Sequence, residues 1–323
     1  MLRLRAPAKI NLGLRVLARR PDGYHEIETL FVPIDLCDEL EVREGERPGV
    51  HIRVQGAALP SDGTNLAVRA AERACAAAGL APRLELRLRK RIPVAAGLGG
   101  GSSDAAAALR AVQQLAPGAL PEERCRELAL GLGADVPFFL DPRPAIGRGL
   151  GEQLEPLSDF PRLWIVLVVF PFGVSTAEVY QGASRELTLP AAPSSIPALL
   201  GPGLAASPPN DLEAFTARRH PEIELARAAL SDQGASMTGM SGSGPTVYGC
   251  FGSRAQAQRA ARRAALPPGA RARVVSSLGF TRGTAFGMGR GQAVRQRTLD
   301  PCIAGSNPAA PASLNQRNGV TTK

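Results

Sequence analysis

Two charged residues stand where charge is least expected. Lys9 lies in Pro7-Ala8-Lys9-Ile10-Asn11-Leu12, and Asp135 lies in Gly133-Ala134-Asp135-Val136-Pro137-Phe138-Phe139. Ionised side chains are rarely buried among apolar neighbours unless paired. Taken singly, Lys9 also reads as a lysine snorkelling from a strand edge, and Asp135 as a helix N-cap or turn residue. Taken together they would form a charge-compensated couple, able to draw a proton from a hydroxyl as it attacks phosphorus.

A place for phosphate lies between them in sequence. Residues 94–108 read VAAGLGGGSSDAAAA, with Gly97, Gly99, Gly100 and Gly101 followed by Ser102, Ser103, Asp104 and an alanine-rich helical run. Glycines let backbone N–H groups approach a ligand, and the helix behind them adds orphan donors and the positive end of its dipole. No Gly-Lys-Ser/Thr follows, so this is not the common P-loop. Ser102 stands where a dinucleotide fingerprint needs its third glycine. The plainer reading is a flexible loop before a helix capped by Ser102 or Ser103. A second glycine-rich loop, Thr238 to Thr246, reads TGMSGSGPT and includes Gly242. Alone it is a turn; beside the first loop it reads as the other wall of a phosphate site. Gly23-Tyr24-His25-Glu26 puts an aromatic and an imidazole after a turn.

These residues need elements to position them. Residues 3–17 and 27–43 alternate as strands do, with the turn signal Arg20-Pro21-Asp22-Gly23 between them. Helices are expected at 65–78, 103–115, 121–132, 210–217, 221–233 and 254–265, and strands at 84–90, 163–170 and 245–251. The segment after Asp135 reads as strand-like, and 189–209 as a long loop. A chain of 323 residues with 44% hydrophobic content suggests about two packed domains. We place them at 1–155 and 156–280, with 281–323, where periodicity disappears, as a disordered tail. The net charge of +9 is partly that tail, which holds six Lys/Arg against one Asp. With 4% aromatics there are few platforms for stacking nucleic acid, so no nucleic-acid partner is expected. The longest apolar run, Trp164 to Phe170, is too short to span a bilayer, so no membrane is expected either. Five cysteines without C-x-x-C spacing, and an N-terminus without an apolar signal region, point to the cytoplasm.

The segments PAKINLGLRVLARRPDGYHEIETLF, GLGGGSSDAAAAL, GADVPFF, GVSTAEVY, PNDLE and GMSGSGPTVYG, in this order, resemble the superfamily of galactokinase, homoserine kinase, mevalonate kinase and phosphomevalonate kinase. Within it the match is to the family that phosphorylates the 2-hydroxyl of CDP-methylerythritol in isoprenoid precursor synthesis. The resemblance spans residues 3 to about 278. It implies an α+β fold, with a ribosomal-protein-like N-terminal α/β domain, a ferredoxin-like C-terminal domain and the active site in the cleft between them. It implies Asp135 as catalytic base, assisted by Lys9. For the acceptor it implies Asn11, Tyr24, His25, Thr176, Tyr180 and Gly242, with Asn210 also in a matched segment. For ATP it implies Pro93, Val94, Ala95, Ala96, Gly97, Leu98, Gly99, Gly100, Gly101, Ser102 and Ser103, with Asn65 and Lys90 near the adenine. Magnesium is expected on general grounds, with no ligand assigned. A monomer or homodimer is expected.

Two alternatives stand beside this reading. A homoserine- or mevalonate-type kinase would share the glycine loops, but the Gly-Tyr-His segment argues against it. A non-catalytic nucleotide- or RNA-binding protein would suit the positive charge, yet it leaves Lys9 and Asp135 without a purpose.

Overall fold

The computed structural model describes residues 1–183, 196 and 208–278. The tail expected to be disordered, and nearly all of the 189–209 loop, lie outside the described residues. The two alternating segments form long antiparallel strands, β1 (Leu2–Arg19) and β2 (His25–Glu44). Gly23, at φ +86°, closes the turn between them. β2 has β1 along one edge. The other edge is shared, with β4 (Arg83–Arg89) pairing at Glu39–Glu44 and β5 (Ala145–Arg148) at Thr29–Phe31. β3 (Gly49–Gln55) runs parallel to β4, and α1 (Leu66–Ala77) crosses between them. β6 (Gln153–Pro156) completes the six-stranded sheet, in the order β3-β4-β2-β5-β6 with β1 beside β2.

α2 (Gly100–Leu115), α3 (Glu122–Leu130) and α4 (Val136–Leu140) complete this half. α1 faces α2 through Ala67, Ala70, Ala71 and Ala74 against Ala105, Ala108 and Ala111, all buried. Small side chains let the two helices approach closely, which explains why alanine rather than leucine fills that face. The apolar run after Asp135 is helix α4 and not a strand. Pro137 sits in its first turn, where a missing N–H costs nothing.

A second, four-stranded antiparallel sheet has the order β10-β7-β9-β8. Its strands are β7 (Trp164–Val169), β8 (Met237–Met240), β9 (Val247–Phe251) and β10 (Arg271–Ser276). α5 (Thr176–Ala183), α6 (Glu213–Arg219), α7 (Glu222–Asp232) and α8 (Arg254–Arg263) accompany it. Ile10, Leu12, Leu30, Val32 and Ile34 of the first sheet share one core with Ile165, Leu167, Tyr248, Cys250 and Val275 of the second. Isolated bridges join Leu14 to Asn210 and Ile34 to Ser277. β1 is therefore covered on both faces from Ala6 to Leu14. Its alternation is an alternation of partners, with the second sheet on one side and a cleft on the other.

Candidate active site

Ala8, Ile10 and Leu12 point to the shared core, so period-two geometry sends Lys9 and Asn11 to the opposite face of β1. The Lys9 ammonium donates to Asn11 Oδ1 at 2.6 Å and lies 3.5 Å from Asp135 Oδ2. Asn11 is held in turn by Thr29, its Nδ2 donating to Thr29 Oγ1 at 2.8 Å, while Thr29 Oγ1 donates to the Gly13 carbonyl. The Lys9 side chain is 6% exposed and that of Asp135 is 32% exposed, so the acid can reach a ligand while the lysine stays packed behind it. Asp135 occupies the position before α4 but makes no side-chain capping bond. Its carboxylate is left for Lys9 and the cleft. α4 is fixed by Phe138 against Phe31, with ring centroids 5.0 Å apart, and by Arg110 donating to the Leu140 carbonyl.

The edge of β1 away from β2 receives both glycine loops. Lys9 N–H donates to the Leu98 carbonyl at 3.0 Å, and Asn11 N–H to Ser241 Oγ at 3.2 Å. Ser241 Oγ donates to the Gly97 carbonyl at 2.9 Å and so ties one loop to the other. α2 starts at Gly100, ahead of the expected 103, because Gly99 takes the left-handed conformation at φ +70°. Ser102 and Ser103 are therefore inside the helix and do not cap it. The start of α2 has no side-chain cap, and its residues 99–102 line the same cavity as Asp135, where an anion could take the free N–H groups. A Cβ on Gly99 would stand 2.7 Å from Phe139 Cζ, and one on Gly97 would run into the Ser241 carbonyl. In the second loop, a Cβ on Gly242 would stand 3.0 Å from Asn11 Oδ1. Asn210 Nδ2 donates to the carbonyls of Met240 and Gly242, and the Thr176 and Ser243 hydroxyls share a 2.9 Å bond.

Lys9, Asn11, Asp135, the first glycine loop, Thr176, Gly242 and Ser243 line one cavity of about 890 Å³ that also takes in Tyr24, His25 and Tyr180, while Thr29, Asn210 and Ser241 brace it from behind. The His25 and Tyr180 rings stack with centroids 5.5 Å apart. Burial, with the Arg19 charge adding to it, lowers the His25 pKa, which favours the neutral ring. His25 Nε2 is buried and has no hydrogen-bond partner among the described residues, so a ligand polar atom would satisfy it. Tyr24 is 63% exposed at the mouth.

The cavity lining includes Lys9, Asn11, Tyr24, His25, Lys90, the whole of 93–102, Asp135, Thr176, Tyr180 and Gly242. Asn65 and Ser103 are not in it. Asn65 caps α1 by accepting from Ala67 N–H, and its Nδ2 donates to the Pro60 carbonyl, so its amide is spent on local structure. Ser103 is buried inside α2. Lys90 presents the cavity with little of its charge, because its ammonium is bonded to Asp38 and Asp104 beneath the loop. Reasoning from the sequence missed Asp38, Thr29 and Ser241. Ser241 was legible only as part of a glycine loop. Asp38 looked like one more polar position in a strand, and nothing in the spacing marked it.

Comparisons with known proteins give the family. Residues 65–141 match the family described as GHMP kinases N terminal domain, and residues 190–267 match GHMP kinases C terminal. A Geobacter sulfurreducens protein named 4-diphosphocytidyl-2-C-methyl-D-erythritol kinase is 44% identical over 262 residues, covering 80% of this chain and 93% of that protein. One of the same name from Pelotomaculum thermopropionicum is 45% identical over 263 residues, covering 80% and 92%. A crystal structure titled as 4-(cytidine 5'-diphospho)-2C-methyl-D-erythritol kinase superposes with a TM-score of 0.73 at 40% identity, covering 85% of this chain and 99% of that one. Homoserine kinase from Cytophaga hutchinsonii, at 19% identity and a TM-score of 0.66, shares the fold.

Proposed function

The chain belongs to the 4-diphosphocytidyl-2-C-methyl-D-erythritol kinases, within the GHMP kinases, and on that premise we propose how its cleft carries out the transfer. It is an ATP-dependent small-molecule kinase of isoprenoid precursor synthesis, acting on 4-diphosphocytidyl-2-C-methyl-D-erythritol. The γ-phosphoryl goes to the 2-hydroxyl of the methylerythritol unit. The observation that carries this reading is the Lys9–Asp135 pair at 3.5 Å, in the same cavity as the uncapped start of α2.

Phosphoryl transfer asks a protein mainly for positioning and charge stabilisation. Residues 93–102 hold the triphosphate through backbone N–H groups, with the Gly239–Gly244 loop as the facing wall. Asn11 and Thr176 orient the methylerythritol hydroxyls. Asp135 accepts the proton of the attacking hydroxyl, and the Lys9 ammonium stabilises its carboxylate and the charge developing beside it. The cytosine lies against Tyr180 and Tyr24, and His25 Nε2, without a partner among the described residues, reads its polar edge. The two ends of the acceptor are thus recognised by different chemistry.

Magnesium fits this site only as a phosphate-held ion. Among the described residues no three acidic, His or Cys side chains come together, which suits a cation that takes most of its oxygens from the triphosphate and water. The Asp135 carboxylate and the Ser102 hydroxyl are protein oxygens in the cavity that could join it. When bound, such an ion supplies neutralisation of phosphate charge. No described helix is long and apolar enough to cross a membrane, and we assign the enzyme to the cytoplasm. The division into 1–155 and 156–280, and a monomeric or dimeric state, belong to the same proposal.

Asp135→Asn tests the assignment. Its turnover should drop by about two to four orders of magnitude, while ATP binding measured by calorimetry stays close to wild type. Turnover near wild type would remove Asp135 from the role of base.

A further inference from the structure

Beneath the glycine loop lies a cluster of charges that the transfer chemistry leaves unused. The Lys90 ammonium sits between Asp38 and Asp104, bonding the latter at 2.7 Å. Side-chain exposures are 3%, 0% and 4% for Lys90, Asp38 and Asp104. The second Asp38 oxygen accepts the N–H groups of Arg91 at 2.5 Å and Ile92 at 2.9 Å. Residues 90–92 lead into the loop and Asp104 lies just beyond it in α2. One buried ammonium and one carboxylate on β2 therefore hold the loop's entry and its exit. The two are close. A Cβ on Gly100 would stand 3.2 Å from Lys90 Nζ and 3.0 Å from Ile92 Cγ2.

Such a cluster is a poor way to hold a core together. Desolvating buried charges costs about as much as their attraction returns, and apolar residues of similar volume often do better. What it supplies is geometry, because each bond has a direction. We infer that Asp38 and Asp104 are positioning residues for nucleotide binding, fixing Lys90 so that both ends of the glycine loop, and the α2 N–H groups it presents, are set before ATP arrives. Neither carboxylate lines the cavity, so neither touches the ligand. This rests on the reading of 93–102 as the ATP site.

Asp38→Asn places an amide where the ammonium and two backbone N–H groups all need an acceptor, so one of those bonds is lost. ATP affinity measured by calorimetry on the full chain should weaken about tenfold, or about 1.4 kcal/mol. The KM of the cytidyl acceptor should stay within about twofold and kcat within about threefold, since the Lys9–Asp135 pair is untouched. Asp104→Asn, which makes no backbone bonds, should weaken ATP in the same direction by roughly two- to fivefold. Should Asp38→Asn not fold, Asp104→Asn decides alone. ATP affinity unchanged, or ATP and acceptor weakening in parallel with a lowered melting temperature, would overturn the inference. Wild-type protein that binds ATP but does not phosphorylate the acceptor would count against the proposed function while leaving this test intact.

Discussion

The Lys9 ammonium has Asn11 at 2.6 Å, Asp135 at 3.5 Å and the Phe31 ring at 5.5 Å, whereas the Lys90 ammonium is enclosed by two carboxylates. Both lysines line the cavity, but the Lys90 ammonium is locked to two carboxylates beneath the loop. That difference separates a residue available for chemistry from one that shapes the site. Residue type and spacing alone marked only the first, because an ion among apolar neighbours on a strand stands out, and Lys90 entered only through the family resemblance. Lys90 follows the charged strand Arg83–Arg89, and Asp38 precedes Glu39, so each looks like an ordinary solvent position. The locked cluster has its own pH signature. Burial first, and the Asp38 charge after it, push the Asp104 carboxyl up to about 7 from the usual 3.8, against the pull of Lys90. A raised folded pKa means that the folded chain holds this proton when the unfolded chain has lost it. The associated stability is full below about 3.8 and is lost as pH rises to about 7. Relative to Asp104→Asn, wild type should lose stability across that window and no further above it. Thermal midpoints of the two proteins at stepped pH would show this, and a pH-independent difference would exclude it.

At the scale of elements, the site depends on where α2 begins. Ser102 and Ser103 are good N-caps by type, and the expected start at 103 followed from them. The structure starts the helix at Gly100 because Gly99 turns left-handed and Phe139 fills the space a side chain would need. Local propensity lost to a tertiary contact, which the residues near the loop could not disclose. For the same reason α4 read as a strand. Its four apolar residues fit either period, and what holds the helix is tertiary, Phe138 on Phe31 and Arg110 on the Leu140 carbonyl. Gly99→Ala should be costly on both counts, strain at φ +70° and a clash at 2.7 Å with Phe139. We expect a loss of about 1–3 kcal/mol in chemical denaturation, together with weakened ATP binding. A variant of unchanged stability and affinity would mean that the loop adapts freely.

At the scale of the whole molecule, β1 and β2 carry a core that belongs to both sheets. The alternation of β1 and β2 was readable, as were α1, α3, α7, α8 and β7, whose apolar patterns are long enough to count. β3, β5, β6, β8 and β10 were not foreseen. Each has four to seven residues, and β3 and β10 are interrupted by charge. The shared core makes the chain's halves interdependent. Residues 1–155 expressed alone would expose Ile10, Leu12, Leu30, Val32 and Ile34, all fully buried in the intact chain. That fragment should therefore be poorly folded, and the intact protein should unfold in a single transition. Two well-separated calorimetric transitions would contradict it. The cleft exists only because both halves build it, with Asp135 from one and Gly242, Thr176 and Tyr180 from the other. The central claim, that this cleft moves phosphate from ATP to a cytidyl-linked polyol, has a direct test in ADP release by the purified chain. Release is expected with 4-diphosphocytidyl-2-C-methyl-D-erythritol and not with homoserine or mevalonate. ADP formed with either of those acceptors, or none with the cytidyl compound, would contradict it.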